Sequence, residues 1–243
     1  MNMGDITKKY LLILMKNLSD FKYCKNKNVK KVVTMMNKHF TEVEVIEHLV
    51  KAYKEAGKPT YTHENLYRGR NHSISGIGED LLGAYLISRL DGVQIFIDQP
   101  LSMIDKSLST RYPDLLICEA NVIKNILEVK MDLGYQRKDF INYCQKKEEW
   151  VSNIVGKQCV LSRKRKDRIP MNIADDIKFH VVIYSENNGP KRFNEEIMPI
   201  VNETCPHIEV YVLTSGQHPN LADVNLEGIN INKDEFERLV SAL

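Results

Sequence analysis

The sequence predicts an α/β fold in which a mixed central sheet is flanked by helices. Three observations lead there. Runs rich in β-branched and aromatic residues at 93–97, 113–119, 122–131, 179–184 and 208–213 have strand character. Before and between them, at 75–90 and 140–155, apolar residues recur at helical spacing. The first sixty residues lack strand alternation, so a helical N-terminal region, 1–70, is expected before the α/β region, 71–243.

In the N-terminal region Leu11, Leu14, Met15 and Leu18 share a helical face, and Thr41 with Glu44 forms a possible capping box before Val45, Ile46, Leu49, Val50 and Tyr53. Gly57 and Pro59 end that helix. The next helix starts near Ser75, with Ile77, Leu81, Leu82, Tyr85, Leu86 and Leu90 on a broad apolar face. Gly78 and Gly83 would each weaken it by roughly 1 kcal/mol relative to alanine, which points to close packing at both positions. A strand at 93–97 precedes two more, joined by a turn near Ala120 and Asn121. A helix follows, with Phe140, Ile141, Cys144, Val151, Ile154 and Val155 on one stripe and Gly156 at its end. Beyond it come the strand at 179–184, a turn at Asn187–Asn188–Gly189–Pro190 and a short helix near Phe193 to Met198. The strand at 208–213 and a terminal helix capped by Asn232 and Glu235 complete the order.

Composition is that of an ordinary globular chain, 43% hydrophobic and 27% charged. The apolar stretch from Tyr10 to Met15 is too short to span a membrane and is followed at once by lysine, so a cytoplasmic protein without membrane attachment is expected. Five widely spaced cysteines, none in a CxxC pair, argue against a disulfide framework or a zinc knuckle and for packing roles. Net charge is +2, but residues 1–60 carry +6 and the remainder −4, an asymmetry that permits a polyanionic partner and equally fits a solvated lysine-rich face.

The chemistry-bearing stretch is RYPDLLICEANVIKNILEVK, Arg111 to Lys130. Strand side chains alternate, so Glu128 and Lys130 project on one side and Leu127, Val129 and Met131 on the other. If the two strands pair antiparallel through a three-residue loop at 120–122, Asp114 faces Glu128 on the same side of the sheet. A two-residue loop would put Leu127 opposite Asp114 unless a bulge restored the register. Facing carboxylates repel unless a proton or cation lies between them, and hard oxygen ligands favour Mg²⁺ or Mn²⁺. With a lysine alongside, such an ion suits phosphodiester hydrolysis, whereas the alternative is a solvated strand face with Asp114 merely opening a turn.

Pro113, Asp114, thirteen intervening residues and then Glu128, Val129, Lys130 resemble the motif of the PD-(D/E)XK, or restriction-endonuclease-like, superfamily. The resemblance covers about 75–213 and implies that superfamily's core: a helix, three strands, a helix and a strand. It implies that Asp114 and Glu128 bind the metal, that the Val129 carbonyl adds a ligand, and that Lys130 assists water attack. Members also place an acid on the preceding helix, which corresponds to Glu79, with Asp80 as competitor. RecB-like members carry glutamine and tyrosine four apart on the later helix; here Gln136 is followed at that interval by Phe140, and Tyr143 is seven away.

Two polar segments are further candidates for DNA contact. Arg163, Lys164, Arg165 and Lys166 lie between a predicted helix and strand and either grip phosphates or form a solvated basic loop. Arg68, Arg70, Asn71, His72 and Ser73 precede the Glu79 helix and either read base edges or face solvent. The GIGE segment at Gly76–Glu79 lacks the lysine and hydroxyl residue of a phosphate loop, so no nucleotide cofactor is expected. The expected function is a Mg²⁺-dependent DNA endonuclease, foremost a type II restriction enzyme acting as a homodimer on duplex DNA. The alternatives are a repair, recombination or mobile-element nuclease that recognises DNA structure, and an inactive DNA-binding module.

Overall fold

Thr41 accepts a hydrogen bond from the Glu44 backbone, while the Glu44 carboxylate returns to the Thr41 N–H at 3.0 Å, and this capping box starts helix α1, Glu42–Ala56. Its apolar stripe, Val45, Ile46, Leu49 and Val50, is buried with Leu82, Tyr85 and Leu86 of α2, Ser75–Ile87. The Tyr85 hydroxyl donates to Glu42 at 2.8 Å and ties the two helices together. The computed structural model describes residues 39–60, 72–106, 108–163, 167–221 and 223–243. They belong to one compact unit, His39–Leu243, which includes α1. The expected helical face at 11–18 lies outside the described residues.

Seven strands build the main sheet: β1 Gln94–Ile97, β2 Leu101–Met103, β3 Leu115–Glu119, β4 Val122–Lys130, β5 Gln158–Arg163, β6 Asp167–Ile183 and β7 Ile208–Val212. Their order is β1-β3-β4-β6-β5-β2, with β7 also on β6. β1, β3 and β4 run antiparallel, whereas β4, β6 and β7 run parallel, so the sheet is mixed. A parallel neighbour needs a crossover, and α3, Phe140–Ser152, lies in the one between β4 and β6. On its edge away from β4, the 17-residue β6 serves two neighbours in turn: its first part pairs with β5 and its last part with β7.

Alternation along the strands supplies two apolar faces. One packs Leu116, Ile126, Phe179 and Val181 with Phe140, Cys144 and Val151 of α3 and Val201 of α4, Met198–Thr204. The other packs Leu115, Leu127, Val129 and Val182 with α1, α2 and α5, Lys233–Ala242. Cys118, Cys144, Cys159 and Cys205 are free and buried, in keeping with packing roles. A small hairpin pairs β8, Thr214–Gly216, with β9, Ile229–Ile231. Among the described residues no helix is long and apolar enough to cross a membrane.

Three local expectations are corrected. The strand expected from residue 179 begins at Asp167, because pairing with β5 supplies backbone partners to a polar stretch lacking strand alternation. The basic run therefore joins two strands of a hairpin instead of a helix and a strand; residues 164–166 lie outside the described residues. Asn232 precedes α5 without capping it: its amide donates to the Val212 carbonyl, and Glu235 accepts from the Val212 N–H. Both side chains are drawn to the open end of β7, where unpaired backbone groups compete with the helix for them.

Candidate active site

The β3–β4 turn has two residues, Ala120 and Asn121, with Glu119 opposite Val122. Carried on unchanged, that register would oppose Asp114 to Leu127. Instead the ladder shifts: Cys118 pairs with Ile123, but Ile117 pairs with Asn125, leaving Lys124 as an extra residue. Leu115 then faces Leu127, the last rung of the ladder, and one residue further on Asp114 comes level with Glu128, near enough to feel its charge. The expected three-residue loop is corrected, and the bulge accomplishes what the loop was expected to do. β6 is irregular at the same level, passing from Ile173 to Lys178 while β4 passes from Ile123 to Asn125.

Asp114 Oδ2 accepts the Val129 N–H at 2.6 Å. The N–H and C=O of a strand residue point to the same side, so the Val129 carbonyl faces the Asp114 side, past the last β3 rung. Glu128 is gripped by two ammonium groups, Lys130 at 2.6 Å on Oε1 and Lys147 at 2.8 Å on Oε2. Burial alone would raise the Glu128 carboxyl, but Lys147 and Lys130 hold it below the usual carboxylate value. Asp114 goes the other way, to about 6, through burial and the Glu128 charge. Glu79, half-buried on the first turns of α2, is pushed up to about 7 by burial and then by Asp114, Asp98 and Asp80. Asp80 is exposed, so of the two acids on α2 Glu79 is the one turned toward the site.

Gly78 sets that approach. A Cβ there would run into Met131 and come within 3.2 Å of the Tyr184 ring, and the Tyr184 hydroxyl donates to the Gly78 carbonyl at 2.8 Å. Gly83 meets Ile97 in the same manner, so both glycines permit the close packing inferred from the sequence.

Lys147 is the residue that sequence reading missed. It lies on α3 beside the core stripe, with its ammonium over the Tyr143 ring at 5.4 Å and the Phe179 ring at 5.2 Å. The spacing of Tyr143, Lys147 and Trp150 was the available signal: one helical stripe that is aromatic and basic, next to an apolar one. Tyr143 keeps its phenol protonated through burial and the neighbouring Glu128 charge.

Of the outlying DNA-contact candidates, His72 and Ser73 have side chains described, and both bond locally. His72 is exposed and meets Thr60 at 3.1 Å, and Ser73 meets Ser75 at 3.1 Å. Arg68, Arg70 and Asn71 lie outside the described residues, as do Lys164, Arg165 and Lys166; Arg163 is described by its backbone alone.

Hard carboxylate oxygens that repel one another suit Mg²⁺ or Mn²⁺ in donor chemistry. Among the described residues, however, no three His, Cys, Asp or Glu side chains are already assembled as a ligand cluster. Each Glu128 oxygen accepts one ammonium and keeps a second lone pair, so the lysines offset the charge without using up the oxygens. No family model matches the chain, and neither a curated protein nor a solved structure matches it.

Proposed function

We propose that this chain is a Mg²⁺-dependent endodeoxyribonuclease of the PD-(D/E)XK type. The observation that carries the reading is the bulge that brings Asp114 level with Glu128, past the last rung, with Lys130 bound to Glu128. The order α2, antiparallel β1-β3-β4, α3, then β6 parallel to β4 supports a restriction-endonuclease-like core.

In this reading Asp114 and Glu128 hold the cation, with Glu79 and the Val129 carbonyl as further oxygen donors. The bound ion supplies a Lewis acid that acidifies water and offsets charge on the phosphate. Lys130 orients the attacking water and stabilises the developing charge on the phosphate. Lys147 is a positioning residue: it fixes the Glu128 carboxylate from the α3 side and keeps it ionised. Were the substrate an uninterrupted duplex with a shared sequence, two such sites would be needed, which a two-fold homodimer would supply.

The test is incubation with mixed unmethylated DNA and Mg²⁺, followed by sequencing of the fragment ends. Chelator-sensitive cleavage that disappears in Asp114→Asn and Lys130→Ala is the expected result, and a common end sequence would select a restriction enzyme. Ends that cluster at branches, nicks or frayed segments would select a nuclease that recognises structure. Failure to cut any DNA, with binding retained in Asp114→Asn, would leave the DNA-binding module.

A further inference from the structure

We infer that the cleft beside Glu128 binds one unpaired nucleotide of a DNA strand, delivering its phosphate to the carboxylates; the identity of the ligand as DNA rests on the nuclease reading. The cleft, about 650 Å³, runs between residues 110–113 and α3, with Glu128 in its wall. That volume suits a nucleotide-sized ligand.

Its lining has the two components of a single-strand site, cations for the backbone and rings for the bases. Arg111, Lys146 and Lys147 line it against the two acids Glu128 and Glu149. Arg111 and Lys146 are exposed and have no ion-pair partner among the described residues, so their charges are available to phosphate. Tyr112 opens onto the cleft with 63% of its surface exposed, a large aromatic area for a folded chain to leave in water. Trp150, partly exposed on the α3 stripe, is supported edge-to-face by the buried Phe179 ring at 6.1 Å.

The cleft is held in place. Arg111 and Leu101 exchange two backbone hydrogen bonds, of 2.8 and 3.0 Å, which anchor the segment leading through Tyr112 and Pro113 to Asp114. A nucleotide seated against Tyr112 or Trp150 therefore has its backbone next to the carboxylates. Bases in an intact duplex are covered on both faces by their neighbours, so only an unpaired base can stack on these rings. The geometry thus selects frayed, flapped or branched DNA over uninterrupted duplex.

Trp150 is the chain's one tryptophan, so its emission reports on the cleft alone. The full-length protein, in EDTA to prevent cutting, is titrated with a short dye-labelled oligothymidylate and, separately, with a blunt duplex of equal length. Expected are quenching of Trp150 as the single strand binds, little quenching at the same concentration of duplex, and single-strand binding weakened roughly ten-fold or more in Tyr112→Ala and in the double variant Arg111→Ala, Lys146→Ala. These residues are exposed, and circular dichroism checks that the variants fold. Single-strand binding by dye anisotropy without quenching, equal quenching by the duplex, or no binding at all overturns the inference. Cleavage by the parent protein in Mg²⁺ is scored independently. Cutting without quenching removes the cleft and keeps the nuclease, whereas quenching without cutting keeps the cleft and removes the nuclease.

Discussion

Asp114 and Glu128 come level just past the last rung between β3 and β4, yet the protein treats them differently. Glu128 is paired with two lysines, while Asp114 has one backbone N–H and a repelling neighbour. Asparagine at 114 removes a charge that burial and Glu128 both oppose, and its amide oxygen can still accept from Val129. Asp114→Asn is therefore expected to lose about a hundred-fold or more of the Mg²⁺-dependent cleavage while melting, in chelator, no lower than the parent. Calorimetry alongside a plasmid assay reads both; a large drop in melting temperature would mean that Asp114 is structural. A second residue-scale prediction concerns His180, fully buried, with Nε2 2.9 Å from Asn125 Oδ1 and Nδ1 3.2 Å from the Tyr211 hydroxyl. The Asn125 amide donates to the Leu243 carbonyl and so turns its oxygen to the ring, which places the imidazole proton on Nε2. Burial lowers its pKa from 6.5 to about 4. Its contribution is full above the unfolded value and is lost as pH falls through the folded one, at most about 3 kcal/mol. Urea unfolding between pH 7 and pH 4 is expected to show that decline, and His180→Gln, which can still donate to Asn125, is expected to flatten it.

At the level of elements, α2 meets the sheet through Gly78, and that contact sets where Glu79 lies. Gly78→Val must displace the Tyr184 ring as well as the pliant Met131 side chain, so about 1–3 kcal/mol of destabilisation is expected, with cleavage falling as α2 lifts. Gly78→Ala should cost less, because Met131 is the nearer obstacle and can rotate aside. Chemical denaturation of the two variants ranks these costs, and equal stability of Gly78→Val and the parent would refute the close approach. The same elements divide what can be read locally from what cannot. The Thr41–Glu44 box is visible in the sequence because its hydrogen bonds span three residues. The β5–β6 hairpin is not, since its charged and interrupted strands are held by ladder bonds to each other and not by an apolar pattern. The failed cap at Asn232 has the same origin: Val212, twenty residues away, wins both side chains.

On the scale of the whole molecule, the two apolar faces of one sheet are each closed by helices from within His39–Leu243. A chain beginning at His39 is therefore expected to fold and unfold in one cooperative step, with coincident transitions by far-ultraviolet dichroism and Trp150 emission. Separate transitions by the two probes would show that the faces melt independently. Alternation along β4 by itself determined that Glu128 and Lys130 share a side, because strand geometry follows from local sterics. Only the tertiary structure decided that Asp114 joins them. The Lys124 bulge forms where β4 is paired on one side with β3 and on the other with an irregular β6, a balance of ladders among residues some fifty positions apart. Lys147 and the cleft along α3 were likewise decided by the fold, since the crossover that lays α3 over β4 brings their charges and rings to Glu128. Periodicity assigns a residue to a face, whereas register and crossover determine which faces meet.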